Sequence, residues 1–514
     1  MVDSNFLYLE DKDIFYILLY KLGAGSYSIV WYSIEIDNFF SKIKNNKSFK
    51  YTPRALKIHF SDSYDAGITE TEINKILIDA NKKKCSHINY PLSHFIYDEL
   101  YVIVVYDVAI GSLYDVLKEF DKKIPIEYMD NIVTQLIKPL EFIHKCNYIH
   151  TDIKPENYLL MGTNQLQTDI INFILNYGLC DKIKRICNQK KNKKININDK
   201  IINDTLNKFL SIISKKFNLL DNILNNKSDE NGESDEDKSS SKEDSFHNDK
   251  NYLSYESEDD NKSIHSFYSI VSDDDNIDDY ETVSSYDSRD DEYFTQIDNF
   301  HVKTISEKIL NEENKKIFKK YIKKNNKKTE YLEEILKNPI IKLTDFGTMI
   351  KFNDRKSTFQ TRYYRSPEII LGLDYDKKID LWSLGCTIFE LITGNILFNT
   401  CKNELNKKYN IDLINIKIIL EKILPCEQKK LLILIHLSVR KNYFLTKKNY
   451  LNFFKKINHI TWIDEFDKHI SIVLKNINTD DKLLMNDKYD NKIKYIKDII
   501  NNLLHIEPSE RRYY

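Results

Sequence analysis

Two short stretches of the sequence carry side chains that could perform phosphotransfer. HTDIKPEN contains Asp152, Lys154 and Asn157 at a spacing that is typical of a catalytic loop. TDFG adds a second acid, Asp345, after an apolar strand. Both carboxylates would have to meet one nucleotide, although they lie far apart in the chain. The residues between them can loop out, because the entropic cost of closing a loop grows only slowly with its length.

Three further patterns are weak evidence for a nucleotide-binding site when each is taken alone. GAGSYSIV starts at Gly23 and has Ser28 where a G-x-G-x-x-G loop has its third glycine, and such a turn is often only a turn. ALKI places Lys57 on a strand, and Glu72 lies on the helix expected after it, so both side chains could simply face solvent. These three patterns become informative through their order along the chain, because YYRSPE and DLWSLGC follow TDFG in the same sequence.

The elements that must position these motifs are strand-rich first and helix-rich afterwards. Apolar and aromatic residues on both sides of the glycine turn predict a hairpin over 14–35. Residues 53–60 and 101–108 read as further strands. Apolar residues near helical spacing predict helices over 66–80 and 125–146. A strand-rich front and a helix-rich rear are typical of two lobes rather than a doubly wound sheet.

The middle of the chain differs in composition. Asp, Glu and Ser dominate 227–298, which cannot bury enough apolar surface to offset the roughly 1–2 kcal/mol per residue that backbone ordering costs. We predict that this acidic segment is disordered, with candidate helices on either side over 183–223 and 303–336. A solvated linker is the simplest interpretation, and a regulatory or localisation role is the alternative.

The bulk composition argues against several classes of protein. The 514 residues carry 76 basic and 78 acidic side chains, so no basic excess indicates nucleic-acid binding. The seven cysteines form no C-x-x-C pair, which disfavours a zinc ribbon or a disulfide framework and fits a reducing compartment. The first residues do not resemble a signal peptide, and no apolar run reaches the about 20 residues of a membrane helix. We expect a soluble intracellular monomer of the cytoplasm, the nucleus or both, with no membrane partner and no direct nucleic-acid partner.

The order of the motifs resembles that of the eukaryotic protein kinases. The resemblance covers nearly the whole chain outside the spacer. It implies an α+β, two-lobed protein kinase fold that uses ATP and Mg²⁺ and acts on a protein substrate. It also implies an N-lobe over 12–109, a C-lobe formed by 110–162 and 338–514, and a spacer insert over 163–337.

The resemblance also implies a role for each matching residue. Asp152 would accept the proton of the substrate hydroxyl, and Lys154 would neutralise the γ-phosphate. Asn157 and Asp345 would bind Mg²⁺ through oxygen, as this hard cation prefers. The nucleotide would be bound by Leu22, Gly23, Gly25, Val30, Ala55, Lys57, Glu72, Tyr106 as the gatekeeper, Asp107 and Ala109.

Some of these contacts are more specific. Lys57 would hold the α- and β-phosphates, and Glu72 would orient it through an ion pair, with Glu70 as the second choice. The backbone carbonyl of Asp107 and the N–H of Ala109 would bind adenine.

Three features resemble the SR-protein kinases, which phosphorylate Arg/Ser-rich splicing factors. These are GAGSYSIV with Ser28, HTDIKPEN with Thr151, and the long insert before TDFG. Residues 440–462 also resemble a segment of that family, and QTRYYRSPEIILG resembles the broader CMGC group. A Clk-like or dual-specificity kinase is the nearest alternative. A pseudokinase scaffold that binds partners through its acidic spacer is the alternative from another class.

One departure from the common kinase pattern bears on regulation. Thr151 replaces the usual Arg, a cation that needs an anionic phosphate on the activation loop to balance its charge. After the stretch TMIKFNDRK, which follows Gly347, Ser357 and Thr358 are the only hydroxyl side chains before Thr361. Phe359 stands where Tyr-regulated relatives carry a phosphorylated Tyr. These residues predict an enzyme that is active without activation-loop phosphorylation.

Other departures concern substrate and stability. Phe346 replaces the Leu of the SR-kinase D-L-G motif. SR-protein kinases also dock Arg-rich substrates on a helix that matches residues 410–425 of this chain. One carboxylate of that family helix falls on Asp412, but the next falls on Ile419. The chain ends soon after Arg511, whose family role is a buried ion pair with Glu368, so the resemblance predicts a C-lobe shortened at its end.

Overall fold

The computed structural model describes most of the chain on both sides of the acidic segment. The described residues are 5–25, 27–45, 47–80, 85–120, 123–189, 200–217, 219, 330–354, 359–400, 411–438, 440, 460–475 and 482–513. The predicted disordered segment 227–298 lies outside them, as does most of the stretch 440–462.

Six strands near the N-terminus form one antiparallel sheet in the order β1-β2-β3-β4-β6-β5. The strands and hairpin predicted over 14–35, 53–60 and 101–108 are confirmed. The strands are β1 (Phe6–Leu9), β2 (Ile14–Ala24), β3 (Ser28–Asp37), β4 (Thr52–His59), β5 (Ser93–Tyr97) and β6 (Tyr101–Tyr106).

Both faces of strand β2 are covered, which explains its continuous apolar sequence. Tyr16 and Leu18 pack into a cluster with β4 and β6 on one face. Ile17 and Leu19 alternate with them and face a second cluster. Successive side chains of a strand point to opposite faces, so a strand buried on both sides has no polar alternation.

A helix packs tightly on this sheet and brings an acid toward it. Helix α1 (Phe39–Lys44) follows β3, and the helix predicted over 66–80 is α2 (Tyr64–Ala80). A Cβ atom at Gly67 would lie 2.7 Å from Cβ of Val102 and 2.9 Å from the His59 ring. Glycine at this position therefore permits the close approach of α2, whose buried face includes Glu70.

Two small antiparallel sheets hold the loops of the predicted site. Strand β9 (Tyr158–Met161) lies between β7 (Ala109–Ser112) and β10 (Ile341–Leu343). Strand β8 (Tyr148–Ile149) pairs with β11 (Ile350–Lys351). HTDIKPEN connects β8 to β9, and TDFG connects β10 to β11. These pairings bring the two motifs together despite their separation in sequence.

The C-lobe is mainly helical and shares one large apolar core. Ser112 caps α3, and its hydroxyl and the Asp115 carboxylate form a capping box. Helix α4, predicted over 125–146, runs through the core. The helices of this lobe are α3 (Leu113–Glu119), α4 (Met129–Lys145), α8 (Pro367–Leu371), α9 (Ile379–Thr393), α10 (Ile411–Lys422), α11 (Pro425–Leu437), α12 (Trp462–Lys475) and α13 (Lys482–Leu503).

The first part of the predicted spacer forms three helices on the N-lobe. These are α5 (Gln165–Tyr177), α6 (Leu179–Gln189) and α7 (Lys200–Phe217), so helix begins earlier than the predicted 183. Their apolar residues join those of β2, β3 and α1 in one cluster. Residues 330–337 are also helical. None of the helices within the described ranges is both long and apolar enough to cross a membrane.

Candidate active site

Lys57 is the centre of a charged cluster between α2 and the TDFG loop. It lies on β4, opposite Val30 on one side and Val104 on the other. Its Nζ atom is 2.7 Å from Oε2 of Glu70 and 2.7 Å from Oδ1 of Asp345. One cation therefore joins the N-lobe helix to the loop of the distant second motif.

The structure corrects the predicted partner of Lys57. Glu72 is exposed, and Glu70 forms the ion pair instead. Residues two positions apart in a helix are separated by about 160° around its axis, so the two glutamates cannot share one face. Glu70 lies on the buried face of α2 together with Ile73 and Leu77, while Glu72 faces solvent.

The proximity of these charges fixes their ionisation. Lys57 lowers the pKa of Asp345 to about 2, which outweighs the opposing effect of burial. Burial alone would lower the pKa of Lys57, but Asp345 and Glu70 raise it above its ordinary value. Burial would raise the pKa of Glu70, yet Lys57 and a contact from His59 hold it below the ordinary value. All three groups are charged at neutral pH.

Asp152 lies in a second cluster formed by the HTDIKPEN loop. Lys154 Nζ is 2.9 Å from Oδ2 of Asp152 and donates to Oγ1 of Thr361 at 3.1 Å. The Thr361 hydroxyl in turn donates to Oδ1 of Asp152 at 2.6 Å. Asn157 Nδ2 donates to the Asp152 carbonyl at 2.7 Å and to its Oδ2 at 3.0 Å. The Asn157 amide is thereby oriented with its nitrogen toward Asp152.

A backbone hydrogen bond places the two clusters side by side. The N–H of Thr344 donates to the carbonyl of Asn157 at 2.9 Å, directly after the β9–β10 pairing. Asp345 follows Thr344 immediately, so the two predicted metal ligands lie on adjoining loops. A carboxylate and an amide oxygen form a donor set that fits Mg²⁺, a hard cation with a preference for oxygen.

The glycine loop and an apolar cluster lie beside Lys57. Gly23 pairs with Val30, and a Cβ atom built on Gly23 or Gly25 would meet no atom within 4 Å. This open space beside the loop fits the approach of phosphates. Ala55 and Tyr106 pair across β4 and β6 and share an apolar cluster with Val30. Leu22 lies near the end of β2 and is exposed.

The segment after Tyr106 is held by one residue of β4 and one residue of α5. The Asp107 side chain pairs with Nη1 of Arg54 at 3.0 Å. Gln167 Nε2 of α5 donates to the Ala109 carbonyl at 3.1 Å. The predicted adenine contacts use different atoms, the Asp107 carbonyl and the Ala109 N–H, and they stay predictions.

A buried aspartate that the sequence analysis did not single out supports the catalytic loop. Asp380 of α9 accepts hydrogen bonds from the N–H groups of His150 at 2.7 Å and Thr151 at 2.9 Å. His144 Nε2 lies 2.8 Å from its Oδ2 atom. The sequence signal for this residue is the motif DLWSLGC, whose acid is Asp380.

The buried ion pair implied for the C-lobe is confirmed. Arg511 Nη2 donates to Oε2 of Glu368 at 2.8 Å, and both side chains are fully buried. The full burial of both partners indicates a structural role for this pair.

Comparison with known sequences identifies relatives of the chain. The family description "Protein kinase domain" matches residues 16–198 and 322–513, well over half of the chain. A protein of Acanthamoeba polyphaga mimivirus, named as a putative serine/threonine-protein kinase, is 28% identical over 403 residues, which are 75% of this chain and 68% of that protein.

Shorter matches reach higher identity. Serine/threonine-protein kinase AFC3 of Arabidopsis thaliana is 53% identical over 68 residues, 13% of this chain and 17% of that protein. Serine/threonine-protein kinase SRPK of Physarum polycephalum is 47% identical over 75 residues, 14% of this chain and 17% of that protein. These two matches therefore span less than a fifth of either relative. The chain belongs to the protein kinase domain family, as a protein serine/threonine kinase.

Proposed function

We propose that this chain transfers the γ-phosphoryl group of ATP to serine or threonine hydroxyls of a protein substrate. One observation carries the proposal: the Lys57–Glu70–Asp345 cluster and the Asp152–Lys154–Asn157 cluster meet where the TDFG loop adjoins the HTDIKPEN loop. Phosphoryl transfer needs positioning and charge neutralisation more than covalent chemistry. The two clusters supply two cations, oxygens that could hold a metal ion and a carboxylate base in one place.

Each side chain has a distinct task in this proposal. Asp152 accepts the hydroxyl proton, since its carboxylate is oriented by three neighbouring donors. Lys57 and Lys154 bind and neutralise phosphate oxygens. Asn157 and Asp345 would hold Mg²⁺, which when bound supplies further neutralisation of phosphate charge. The intact set also favours an active kinase over a pseudokinase scaffold, which has no need for metal ligands.

We further propose that activity does not require a phosphorylated activation loop. The Thr151 side chain is buried, and its hydroxyl donates to the Thr348 carbonyl at 2.9 Å, so no cation there needs an anionic partner. Phe359 packs edge-on against Tyr375 with ring centroids 5.0 Å apart. Apolar packing thus anchors the segment where relatives use a phosphorylated Tyr. Ser357 and Thr358 lie outside the described residues.

Treatment with a phosphatase tests this second proposal. We expect the dephosphorylated protein to retain its full rate, because the Thr151 and Phe359 contacts involve no phosphate. Loss of activity that returns after autophosphorylation would contradict it.

The substrate class is the finer question. The resemblance to SR-protein kinases, within the CMGC group, supports basic Ser-containing substrates. A contact in the structure weakens one route to such specificity. The Asp412 carboxylate already faces Arg365 at 3.5 Å and Arg440 at 3.2 Å, so a substrate arginine would have to displace one of them. We therefore propose that any preference for arginine does not depend on Asp412.

A phosphorylation assay tests the proposed function and its alternatives together. Mg²⁺ and ATP are supplied with an Arg/Ser-repeat peptide, a neutral Ser peptide or a Tyr peptide, and Asp152→Asn serves as the inactive control. Phosphate incorporation into Ser peptides that needs Asp152 would support the proposal. Transfer to the Tyr peptide would favour a dual-specificity kinase. No transfer to any peptide or protein would favour the scaffold, and equal rates on the two Ser peptides would refute the Arg/Ser preference.

A further inference from the structure

The hydroxyl of Tyr106 forms a buried hydrogen bond to the acid of the Lys57 ion pair. Tyr106 ends β6 opposite Ala55 and is only 5% exposed. Its Oη atom donates to Oε1 of Glu70 at 3.0 Å and accepts a longer contact from Asn74 Nδ2 at 3.4 Å. The ring therefore packs in the apolar cluster with Ala55, while the hydroxyl reaches helix α2.

The Glu70 carboxylate uses its two oxygens for different partners. Oε2 faces Lys57 Nζ at 2.7 Å and His59 Nε2 at 3.2 Å, and Oε1 receives the Tyr106 hydroxyl. Glu70 is 1% exposed, so water cannot replace a missing donor. A buried acceptor that loses its donor is destabilised by its full desolvation cost. The orientation of this carboxylate thus depends on Tyr106 as well as on Lys57.

The surroundings leave Glu70 little freedom to turn. A Cβ atom at Gly347 would lie 3.2 Å from its Oε2 atom, so the TDFG loop also packs closely against the carboxylate. Asn74, one turn further along α2, also contacts the Tyr106 hydroxyl. Two residues of α2 therefore meet one hydroxyl of the sheet. Burial and Glu70 raise the pKa of Tyr106 well above its ordinary value, so the hydroxyl remains a donor.

We propose that Tyr106 is a positioning residue that holds α2 in the orientation in which Glu70 binds Lys57. The inference rests on the proposed function, because the Lys57–Glu70 pair matters when Lys57 binds phosphates. It assigns two roles to one side chain. The ring shapes the adenine pocket, and the hydroxyl aligns the phosphate-binding lysine through Glu70. A phenylalanine would fill the pocket equally well and fail in the second role.

The test compares two tyrosines that make the same kind of bond. Tyr106→Phe removes the donor to Glu70, and Tyr16→Phe removes a donor to Oε2 of Glu35 at 2.9 Å, also buried in the N-lobe sheet but without a contact to Glu70. Steady-state kinetics give kcat and KM for ATP for both variants. We expect kcat/KM to fall about 10- to 100-fold for Tyr106→Phe, the range typical of losing a bond to a charged group, and to stay unchanged for Tyr16→Phe.

A double-mutant cycle separates positioning from a general loss of packing. If the hydroxyl acts through Glu70, adding Tyr106→Phe to Glu70→Gln should cause almost no further loss, because residues in one network are not additive. Hydrogen exchange of nucleotide-free protein gives a readout independent of activity. The amides of α2 should exchange about tenfold faster in Tyr106→Phe than in the wild type or Tyr16→Phe, because the helix is held less firmly.

Unchanged exchange in α2, additive losses in the cycle, or a wild-type kcat/KM for Tyr106→Phe would each overturn the inference. These results can be told apart from failure of the proposed function. If the wild-type protein shows no Asp152-dependent phosphotransfer, the proposed function fails, and the exchange of α2 still decides whether the Tyr106 hydroxyl holds the helix.

Discussion

The charged clusters around Asp152 and Lys57 differ from the ion pair of Arg511 in how far their side chains are exposed to solvent. In the two clusters, the side chains of Asp345, Lys154 and Asp152 remain 40%, 23% and 16% exposed. Asp345 pairs with Lys57, Lys154 pairs with Asp152, and each of the three side chains keeps contact with solvent. Arg511 and Glu368 are 0% and 1% exposed, and the guanidinium also donates to three backbone carbonyls.

This difference indicates which charges are available for a ligand. A cation whose donors are all used inside the protein can stabilise the fold but cannot bind a phosphate. Charges that share partners and keep contact with solvent can exchange a protein partner for a ligand, and perturbed groups of this kind are typical of functional sites. Substitutions around Asp152 should therefore reduce activity first, and substitutions around Arg511 should reduce stability first.

The largest expected effect is that of Asp152→Asn on turnover. Loss of the carboxylate base should lower kcat by about 10²- to 10⁴-fold, the usual contribution of a general base. The amide keeps the shape and can still meet Lys154, Asn157 and Thr361, so the melting temperature should hardly change. Kinetics and thermal unfolding on the same preparation check both parts. A loss of stability as large as the loss of activity would remove the distinction between the two regions.

The opposite result is expected for Glu368→Gln. Removing one partner of a buried ion pair leaves the Arg511 cation uncompensated and typically costs about 3–5 kcal/mol. The free energy of unfolding, measured by urea denaturation, checks this. Glu334→Gln is the matched control, because its ion pair with Lys337 is largely exposed and should contribute little to the free energy of unfolding. Similar losses in the two variants would contradict the assignment of Glu368 to a closed structural network.

A third prediction concerns Glu390, a buried carboxyl of the C-lobe that accepts a hydrogen bond from the Tyr364 hydroxyl at 2.6 Å. Burial raises the pKa of Glu390 from 4.5 to about 7, despite this hydrogen bond. The folded state therefore holds the proton more tightly than the unfolded state. The associated stability is complete below the ordinary pKa and is lost as the pH rises through the folded value.

Glu390→Gln should remove this pH dependence, because the amide stays neutral. The variant should gain up to a few kcal/mol of unfolding free energy relative to the wild type between about pH 5 and pH 8. Urea denaturation at several pH values measures the difference, with Glu334→Gln as the exposed control. A difference that shrinks toward high pH would show that Glu390 is not the group responsible.

The sequence predicts most of the residues of the two charged clusters but not all of their contacts. The motifs identify Asp152, Asn157 and Asp345, and strand pairing then brings them together. The error at Glu72 arose from helix register. Ile73 and Leu77 lie three and seven positions after Glu70, so the apolar stripe of α2 already distinguished Glu70 from Glu72. The stripe therefore identifies Glu70, and not Glu72, as the glutamate that can reach Lys57.

Other features could not be predicted from local patterns. Helices α5–α7 carry apolar stripes, but a stripe does not identify the surface that covers it. Their packing on β2 and β3 and the bond from Gln167 to the Ala109 carbonyl depend on tertiary structure. The hydrogen bond from Tyr106 to Glu70 likewise joins a strand to a helix that sequence patterns describe separately.

The smallest expected effect on activity and stability is that of a substitution at Thr151, which lies between the buried Asp380 and the partly exposed cluster of Asp152. Its N–H donates to the buried Asp380, its hydroxyl donates to the Thr348 carbonyl, and Asp152 follows it directly. Thr151 also has φ = 72°, a strained conformation for a β-branched residue. Thr151→Val keeps the branching and hence the strain, so it removes the hydroxyl alone.

We expect Thr151→Val to lower the unfolding free energy by about 1 kcal/mol, the usual value of one hydrogen bond. Activity should decrease only slightly and stay insensitive to phosphatase, because the side chain stabilises the TDFG loop without carrying a charge. Urea denaturation and the peptide assay, each before and after phosphatase, measure these effects. A variant that becomes dependent on phosphorylation would show that the Thr151 hydroxyl itself replaces the activating phosphate, and would place this residue with the catalytic cluster rather than with the buried network of Asp380.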